Sequence, residues 1–388
     1  MKKVINILGA TGSIGDSAFS VIREHPDKYE VGVIAAGSDV QKLIRLALEF
    51  KPKAVALFDD AKHPELKEAF SGSGVDIFSG EAGVIESASI RADITLSAIS
   101  GFAALKPTLA AIGNSKTIAL ANKESLVCAG NLVLEKALAH NTKIIPVDSE
   151  HNALFQVFES NNADKVESIT ITASGGAFRN LSLKEMEDVT PEMALKHPNW
   201  SMGPKITVDS ATLANKGLEY IEACVLFPVS ANQVKVLVHT ESIIHGMVSY
   251  KDGSVLAHLA EPDMRVPIAY AFAHPQRLEI SHKGLDLAQI GKLSFATPDH
   301  SRFPMLKLAQ DCMAAGQDAR IAFNAANEVA VSSFLNNKIK FLDINKLTDA
   351  CVNSRKGAYF RDVKDICEYD SYIRILASEK ISSLYVVY

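Results

Sequence analysis

Cysteine is scarce, with five residues in 388, and Cys128, Cys224, Cys312, Cys351 and Cys367 are odd in number and never form a Cys-x-x-Cys pair. This excludes a disulfide framework and a thiolate metal site, and fits buried spacers in a reducing compartment. No apolar run is long enough to span a bilayer. Met1-Lys2-Lys3 leads straight into a strand-like run, without the apolar stretch and small-residue cleavage site of a secretory signal, so a cytoplasmic location is expected. Excess positive charge is also missing: 40 Lys and Arg stand against 45 Asp and Glu, a net charge of -5, and the basic residues are scattered. Neither a nucleic-acid nor a membrane partner is expected, and any anionic ligand must be held locally. Internal repeats and low-complexity segments are absent, and there is a single tryptophan, Trp200.

The length permits two or three domains. From residue 3 to about 147, β-rich runs (3–8, 31–36, 54–58, 93–98, 117–120, 143–147) alternate with helical patterns such as 40–50 and 124–140, which predicts parallel βαβ units. The rhythm then changes. A helical pattern at 151–160, a strand at 166–172, a Pro/Gly loop, a helix at 211–227 and strands at 234–239, 243–250 and 254–260, with a Lys251-Asp252-Gly253 hairpin turn, predict an α+β region with an antiparallel sheet. Helical patterns at 305–315, 321–335, 343–354 and 371–383 predict a terminal bundle. The expected organisation is an α/β chain with a Rossmann-like dinucleotide-binding domain (1–147), a central α+β catalytic and metal-binding domain (148–274), a linker (275–303) and a C-terminal helical domain (304–388).

Three places carry chemistry. Gly9-Ala10-Thr11-Gly12-Ser13-Ile14-Gly15 follows the first strand and opens a helix, the context in which backbone N–H groups and the helix dipole receive a pyrophosphate. The second strand ends at Gly37-Ser38-Asp39, where the ribose is recognised; Asp39 speaks for NAD, and Ser38 with Lys42 for NADP.

Asp148-Ser149-Glu150 ends another strand, and two carboxylates two apart on extended backbone point the same way, toward one ion. With Glu219 they would form an all-oxygen set suited to Mg²⁺ or Mn²⁺. The competing role for Asp148 and Glu150 is capping of the next helix, as it is for Asn122 in Ala121-Asn122-Lys123-Glu124. Ser174-Gly175-Gly176 reads as an anion-binding nest or an ordinary turn.

The third place is residues 197–205, His-Pro-Asn-Trp-Ser-Met-Gly-Pro-Lys, running on to Ser210 and Asn215-Lys216-Gly217-Leu218-Glu219. Its first half cannot be a regular helix or central strand and predicts a mobile cover, with Trp200 and Met202 over a ligand. Asn215 and Glu219 share a helix face beside Lys216, where they can converge on one small ligand.

Taken in order with Val208-Asp209-Ser210-Ala211-Thr212 and Asn324-Ala325-Ala326-Asn327-Glu328, these motifs resemble the 1-deoxy-D-xylulose 5-phosphate reductoisomerase family over nearly the whole chain. The resemblance implies an NADPH-dependent homodimer acting on a phosphosugar in isoprenoid precursor synthesis, with one Mg²⁺ or Mn²⁺ per subunit. It implies Asp148, Glu150 and Glu219 as metal ligands, and Ser174, Ser210, Asn215 and Lys216 around the substrate phosphate. Ser149, Lys123 and His197 would contact the sugar backbone. Thr11, Gly12, Ser13, Ile14, Gly37, Ser38, Asp39, Asn122, Glu124 and Gly203 would contact the cofactor. Ser38-Asp39 departs from the family's usual basic or polar residue followed by Asn.

Overall fold

A computed structural model describes residues 1–197, 199, 200 and 202–384. It divides into two compact units, each drawn from separate stretches of chain: residues 1–125, 131–152 and 263–283 form the first, and 126–130, 153–262 and 284–388 the second.

The first unit is built on a seven-stranded parallel sheet in the order β4-β3-β2-β1-β5-β6-β7. The strands are β1 (Lys3–Leu8), β2 (Tyr29–Ala36), β3 (Ala54–Leu57), β4 (Asp76–Ser79), β5 (Ala92–Ser97), β6 (Ser115–Leu120) and β7 (Lys143–Pro146). Their Val, Ile, Leu and Ala runs are buried on both faces because helices cover both sides, as parallel crossovers require. Those helices include α1 (Ser13–Glu24), α2 (Val40–Phe50), α3 (His63–Ala69), α4 (Gly80–Ala88), α5 (Leu105–Ala111) and α6 (Glu124–Ala139). On α2, Val40, Leu43, Leu46 and Ala47 recur at helical spacing and face inward; each large apolar side chain so buried contributes about 1.5–3 kcal/mol. β4 escapes the periodicity reading because its four residues, Asp-Ile-Phe-Ser, are too short and polar to stand out. The order reverses direction at β1, so the carboxyl ends of β1 and β5 flank the switch point where open α/β sheets bind ligands.

After α7 (Ser149–Val157) the second unit carries a four-stranded sheet in the order β11-β10-β8-β9, from β8 (Val166–Ala173), β9 (Val234–Val238), β10 (Ile244–Tyr250) and β11 (Val255–Leu259). The expectation of a purely antiparallel sheet is corrected here: β10 pairs antiparallel with β8 and β11, whereas β8 and β9 run parallel. The reason is the long helical crossover between them, which returns the chain in the same direction. Within it lie α8 (Leu183–Met186), α9 (Pro191–Ala194), α10 (Pro204–Thr212) and α11 (Ala214–Leu226).

A second correction follows. The stretch after residue 203 was expected to stay irregular until 211, then run as one helix to 227. Instead helix begins at Pro204, because proline is well tolerated at a first helical position, and breaks at Leu213, which takes a left-handed φ of 60°.

α12 (Arg265–Ala273) belongs to the first unit, where it packs on α1, and Phe272 meets the Tyr29 ring at 5.8 Å. Residues 284–304 hold one short helix, α13 (Leu287–Ile290), and a bridge from Ala296 to Val238. The bundle follows: α14 (Met305–Ala315), α15 (Gln317–Leu335), α16 (Asp343–Ser354) and α17 (Val363–Leu384). α15 is its central helix, packed by α14, α16 and α17 around the buried rings of Phe323 and Phe334.

Candidate functional site

In the first unit, the glycine turn behaves as a cradle. Gly9 has φ +94°, and a Cβ there would lie 2.8 Å from the backbone nitrogen of Ile99; one on Gly15 would lie 2.9 Å from Ala10 Cα. Gly12 caps α1 without a side-chain hydrogen bond, so the first helical amides and the positive dipole end stay open to an anion. Thr11 and Ile14 are half-buried beside it, and Gly12 and Ser13 are exposed.

Asp39 is occupied as the cap of α2, its Oδ1 accepting from Lys42 N at 3.0 Å. Lys42 Nζ in turn donates to the Thr11 carbonyl (3.0 Å) and pairs with Asp16 (2.7 Å). A residue that the sequence reading missed lies here: Lys62 Nζ donates to the Ser38 carbonyl at 2.7 Å. It follows β3, and only the β3-β2-β1 order brings that strand end beside the turn at 37–39.

Beyond β6, Asn122 is buried and donates to the carbonyls of Ile99 (2.9 Å) and Gly101 (3.0 Å) and to Glu124 Oε2 (2.6 Å). Its Oδ1 accepts from Ser125 N (2.9 Å), so the capping role weighed for it is present in the structure. Lys123, also buried, pairs its ammonium with Asp148 Oδ2 at 2.5 Å. The argument that Asp148 and Glu150 align on extended backbone is corrected: helix α7 starts at Ser149, so Asp148 precedes it and Glu150 sits in its first turn. Ser149 Oγ donates to Glu150 Oε2 at 2.5 Å. Both carboxylates are half-buried.

In the second unit, Ser174-Gly175-Gly176 leaves the end of β8 with φ of +85° and +71° at the two glycines, a turn whose backbone only glycine adopts without strain. His197 joins this turn to α10, because its Nε2 lies 3.0 Å from Ser174 Oγ and 3.2 Å from Ser210 Oγ. Its Nδ1 accepts from the backbone N–H groups of Asn199 (3.2 Å) and Trp200 (3.0 Å). The proton of the neutral ring is therefore on Nε2, donated toward the serine hydroxyls. Burial first, then the positive Arg179, push the His197 pKa from 6.5 down to about 4, so the ring is neutral at pH 7.

On α11, Asn215 Nδ2 donates to Glu219 Oε1 at 2.5 Å, and Lys216 pairs with Glu219 Oε2. Lys216 and Glu219 are both buried. Burying a charge pair costs several kcal/mol of desolvation per ion, so an apolar pair would serve stability as well.

Of the predicted cover, Pro198 and Ser201 lie outside the described residues. Trp200 stands edge-on to His245 with ring centres 6.2 Å apart, Met202 is half-buried, and Gly203 caps α10. Asn199 Nδ2 donates to the Thr240 carbonyl and to Ser242 Oγ, both at 2.8 Å. These partners follow β9, some forty residues on, and nothing in the local sequence signals them.

The comparisons with known proteins agree along the chain. Residues 5–130 match the family model described as 1-deoxy-D-xylulose 5-phosphate reductoisomerase, 144–227 the model of its C-terminal domain, and 259–376 a further model described as DXP reductoisomerase C-terminal domain. A 1-deoxy-D-xylulose 5-phosphate reductoisomerase from Nitrobacter hamburgensis is 49% identical over 351 residues, covering 90% of this chain and 86% of that protein. One from Zymomonas mobilis is 46% identical over 382 residues, 98% of both. A crystal structure of DOX-P reductoisomerase in complex with NADPH, fosmidomycin and magnesium superposes with a TM-score of 0.96 at 42% identity, covering 99% of each chain. The Zymomonas mobilis enzyme in complex with NADPH gives 0.91 at 44%, covering 99% of this chain and 100% of that one.

Proposed function

This chain belongs to the 1-deoxy-D-xylulose 5-phosphate reductoisomerase family, and from that membership we propose that it converts 1-deoxy-D-xylulose 5-phosphate to 2-C-methyl-D-erythritol 4-phosphate, an NADPH-dependent step of the non-mevalonate route to isoprenoid precursors. The observation that carries the reading is His197 standing between the hydroxyls of Ser174 and Ser210, two hydroxyls from separate elements gathered at one imidazole nitrogen.

The residues fit the cofactor. The Gly9–Gly15 cradle and the open amino end of α1 (Thr11, Gly12, Ser13, Ile14) would hold the pyrophosphate, and Gly37, Ser38 and Asp39 the ribose. Asn122, Glu124 and Gly203 would also contact the cofactor. The metal reading also fits, since Asp148 and Glu219 each present a carboxylate that already pairs with a cationic group, a lysine ammonium. Asp148, Glu150 and Glu219 would hold one Mg²⁺ or Mn²⁺ per subunit, hard oxygen donors for a hard cation. When bound, the ion supplies charge stabilisation for the substrate's carbonyl and neighbouring hydroxyl oxygens.

The chain's own side chains do the rest. Ser174, Ser210, Asn215 and Lys216 bind the phosphate, anchoring the substrate remotely while one C–C bond breaks and another forms to give a branched aldehyde. Lys123, Ser149 and His197 orient its oxygens, with His197 donating from Nε2 in its neutral form. Trp200 and Met202 exclude water before hydride from the nicotinamide reduces the aldehyde. The protein would work as a cytoplasmic homodimer. Five free cysteines among the described residues support a reducing compartment, and no described helix is long and apolar enough to cross a membrane.

The test is product identification. Incubation with 1-deoxy-D-xylulose 5-phosphate, NADPH and Mg²⁺ should yield one methylerythritol phosphate per NADPH oxidised. Cofactor oxidation with a different product, or none, would sink the reading.

A further inference from the structure

Two motifs find no use in the reading above: Asp209, beside the phosphate-binding Ser210, and Asn324-Ala325-Ala326-Asn327-Glu328 on the central bundle helix α15. They meet. Asp209 is 1% exposed, and its Oδ1 accepts from Asn327 Nδ2 at 2.8 Å while its Oδ2 pairs with Lys205 Nζ at 3.0 Å. Asn327 is wholly buried, and its own Oδ1 has no hydrogen-bond partner among the described residues. A buried amide left half-satisfied costs stability, and a leucine of similar volume would pack without that cost. The bond to Asp209 is what that amide provides.

The geometry shows what depends on it. Asp209 and Ser210 are neighbours on α10, one turned to α15 and the other to His197. Lys205, one turn before Asp209, is where the lid enters the helix. The Ser174 turn is locked to the same helix: a Cβ on Gly176 would lie 2.8 Å from Ala211 Cα, so this loop cannot keep its place if α10 rolls or slides. Next to Asn327 on α15, Glu328 accepts from Asn324 (3.1 Å) and pairs with Arg374 of α17 (2.7 Å), which pins the helix that carries Asn327.

We propose that Asp209 and Asn327 are positioning residues of the phosphate site. Their buried carboxylate–amide contact fixes α10 against the helical bundle, setting both serine hydroxyls and, through Lys205, the foot of the lid. The proposal rests on the phosphate-binding reading of Ser174 and Ser210.

The experiment measures kcat and KM for 1-deoxy-D-xylulose 5-phosphate, KM for NADPH, inhibition by inorganic phosphate and the thermal midpoint. The full-length variants are Asn327→Ala, Asp209→Asn, Ser210→Ala and the exchange Asp209→Asn/Asn327→Asp, all with Mg²⁺ present. Asn327→Ala and Asp209→Asn should each raise the deoxyxylulose phosphate KM and weaken phosphate inhibition about tenfold, the loss of roughly one hydrogen bond to a charged group. KM for NADPH should stay within about twofold, a split that loss of packing alone would not produce. The exchange rebuilds the amide–carboxylate bond but takes the carboxylate from Lys205. It should recover the thermal midpoint and the phosphate inhibition, leaving raised only the part of the substrate KM that depends on Lys205.

Folded Asn327→Ala and Asp209→Asn proteins with parental KM and phosphate inhibition overturn the proposal, as does an equal loss for substrate and NADPH. If Asn327→Ala does not fold, Asn327→Leu, which keeps the volume and removes the donor that Asp209 accepts from, decides alone. Ser210→Ala separates the two levels. Unchanged substrate KM there removes the phosphate-site reading itself, whereas a raised KM in Ser210→Ala with none in the other two removes only the role of Asp209 and Asn327.

Discussion

Acidification should release the lid through one ring. His197 Nδ1 accepts from the backbone of Asn199 and Trp200, and a second proton on that nitrogen abolishes both bonds and sets a cation facing Arg179. The folded protein resists this, since burial first and Arg179 second lower the pKa from 6.5 to about 4. Between those values the unfolded chain binds the proton and the folded chain does not. The stability contribution is therefore fully present above pH 6.5 and is lost as pH falls toward 4. A drop of about 2.5 pH units corresponds to about 3.4 kcal/mol as a ceiling. The ring is only half-buried, and solvent screening reduces this to about 1–2 kcal/mol.

Trp200 is the only tryptophan, so its fluorescence reports the lid directly. A pH titration of that fluorescence, with far-UV circular dichroism on the same samples to follow the fold, should show a transition near pH 4 that is absent in His197→Gln. A transition centred near pH 6.5 would refute the geometry, because it would mean a solvated imidazole.

Two further outcomes follow from the first unit. Gly15→Val should raise the NADPH dissociation constant about tenfold or more, since even its Cβ would crowd Ala10 Cα at 2.9 Å and push the cradle open, a loss of at least about 1.4 kcal/mol; parental affinity by cofactor fluorescence titration would mean the turn holds no pyrophosphate. Asn122→Ala strands the Ile99 and Gly101 carbonyls and the amide of Ser125, so urea denaturation should show a loss of about 1–3 kcal/mol, and an unshifted midpoint would contradict its capping role.

How much of this was legible beforehand depends on the range of the interaction. The parallel sheet, the glycine turn and the bundle helices are periodic or local, and chain order alone places them. So is Asn215–Lys216–Glu219, where helical spacing puts an amide and an ammonium on one carboxylate. The start of α10 at Pro204 was misread because loop composition masked a proline suited to a first helical turn. Glu150 was misread because a strand-end argument was carried two residues into a helix. Lys62 on the Ser38 carbonyl, Asn199 on Thr240 and Ser242, and Asn327 on Asp209 depend on tertiary contacts between residues far apart in sequence, and no local pattern announces them.

The central claim is that carboxylates of this chain hold a cation on which phosphosugar turnover depends. The most direct measurement follows NADPH oxidation with 1-deoxy-D-xylulose 5-phosphate, with Mg²⁺ and after exhaustive chelation, in the parent and in Glu219→Gln. Turnover should vanish without the metal and in the variant, with NADPH still bound by both proteins. Parental turnover in Glu219→Gln, or turnover that survives chelation, would contradict the account.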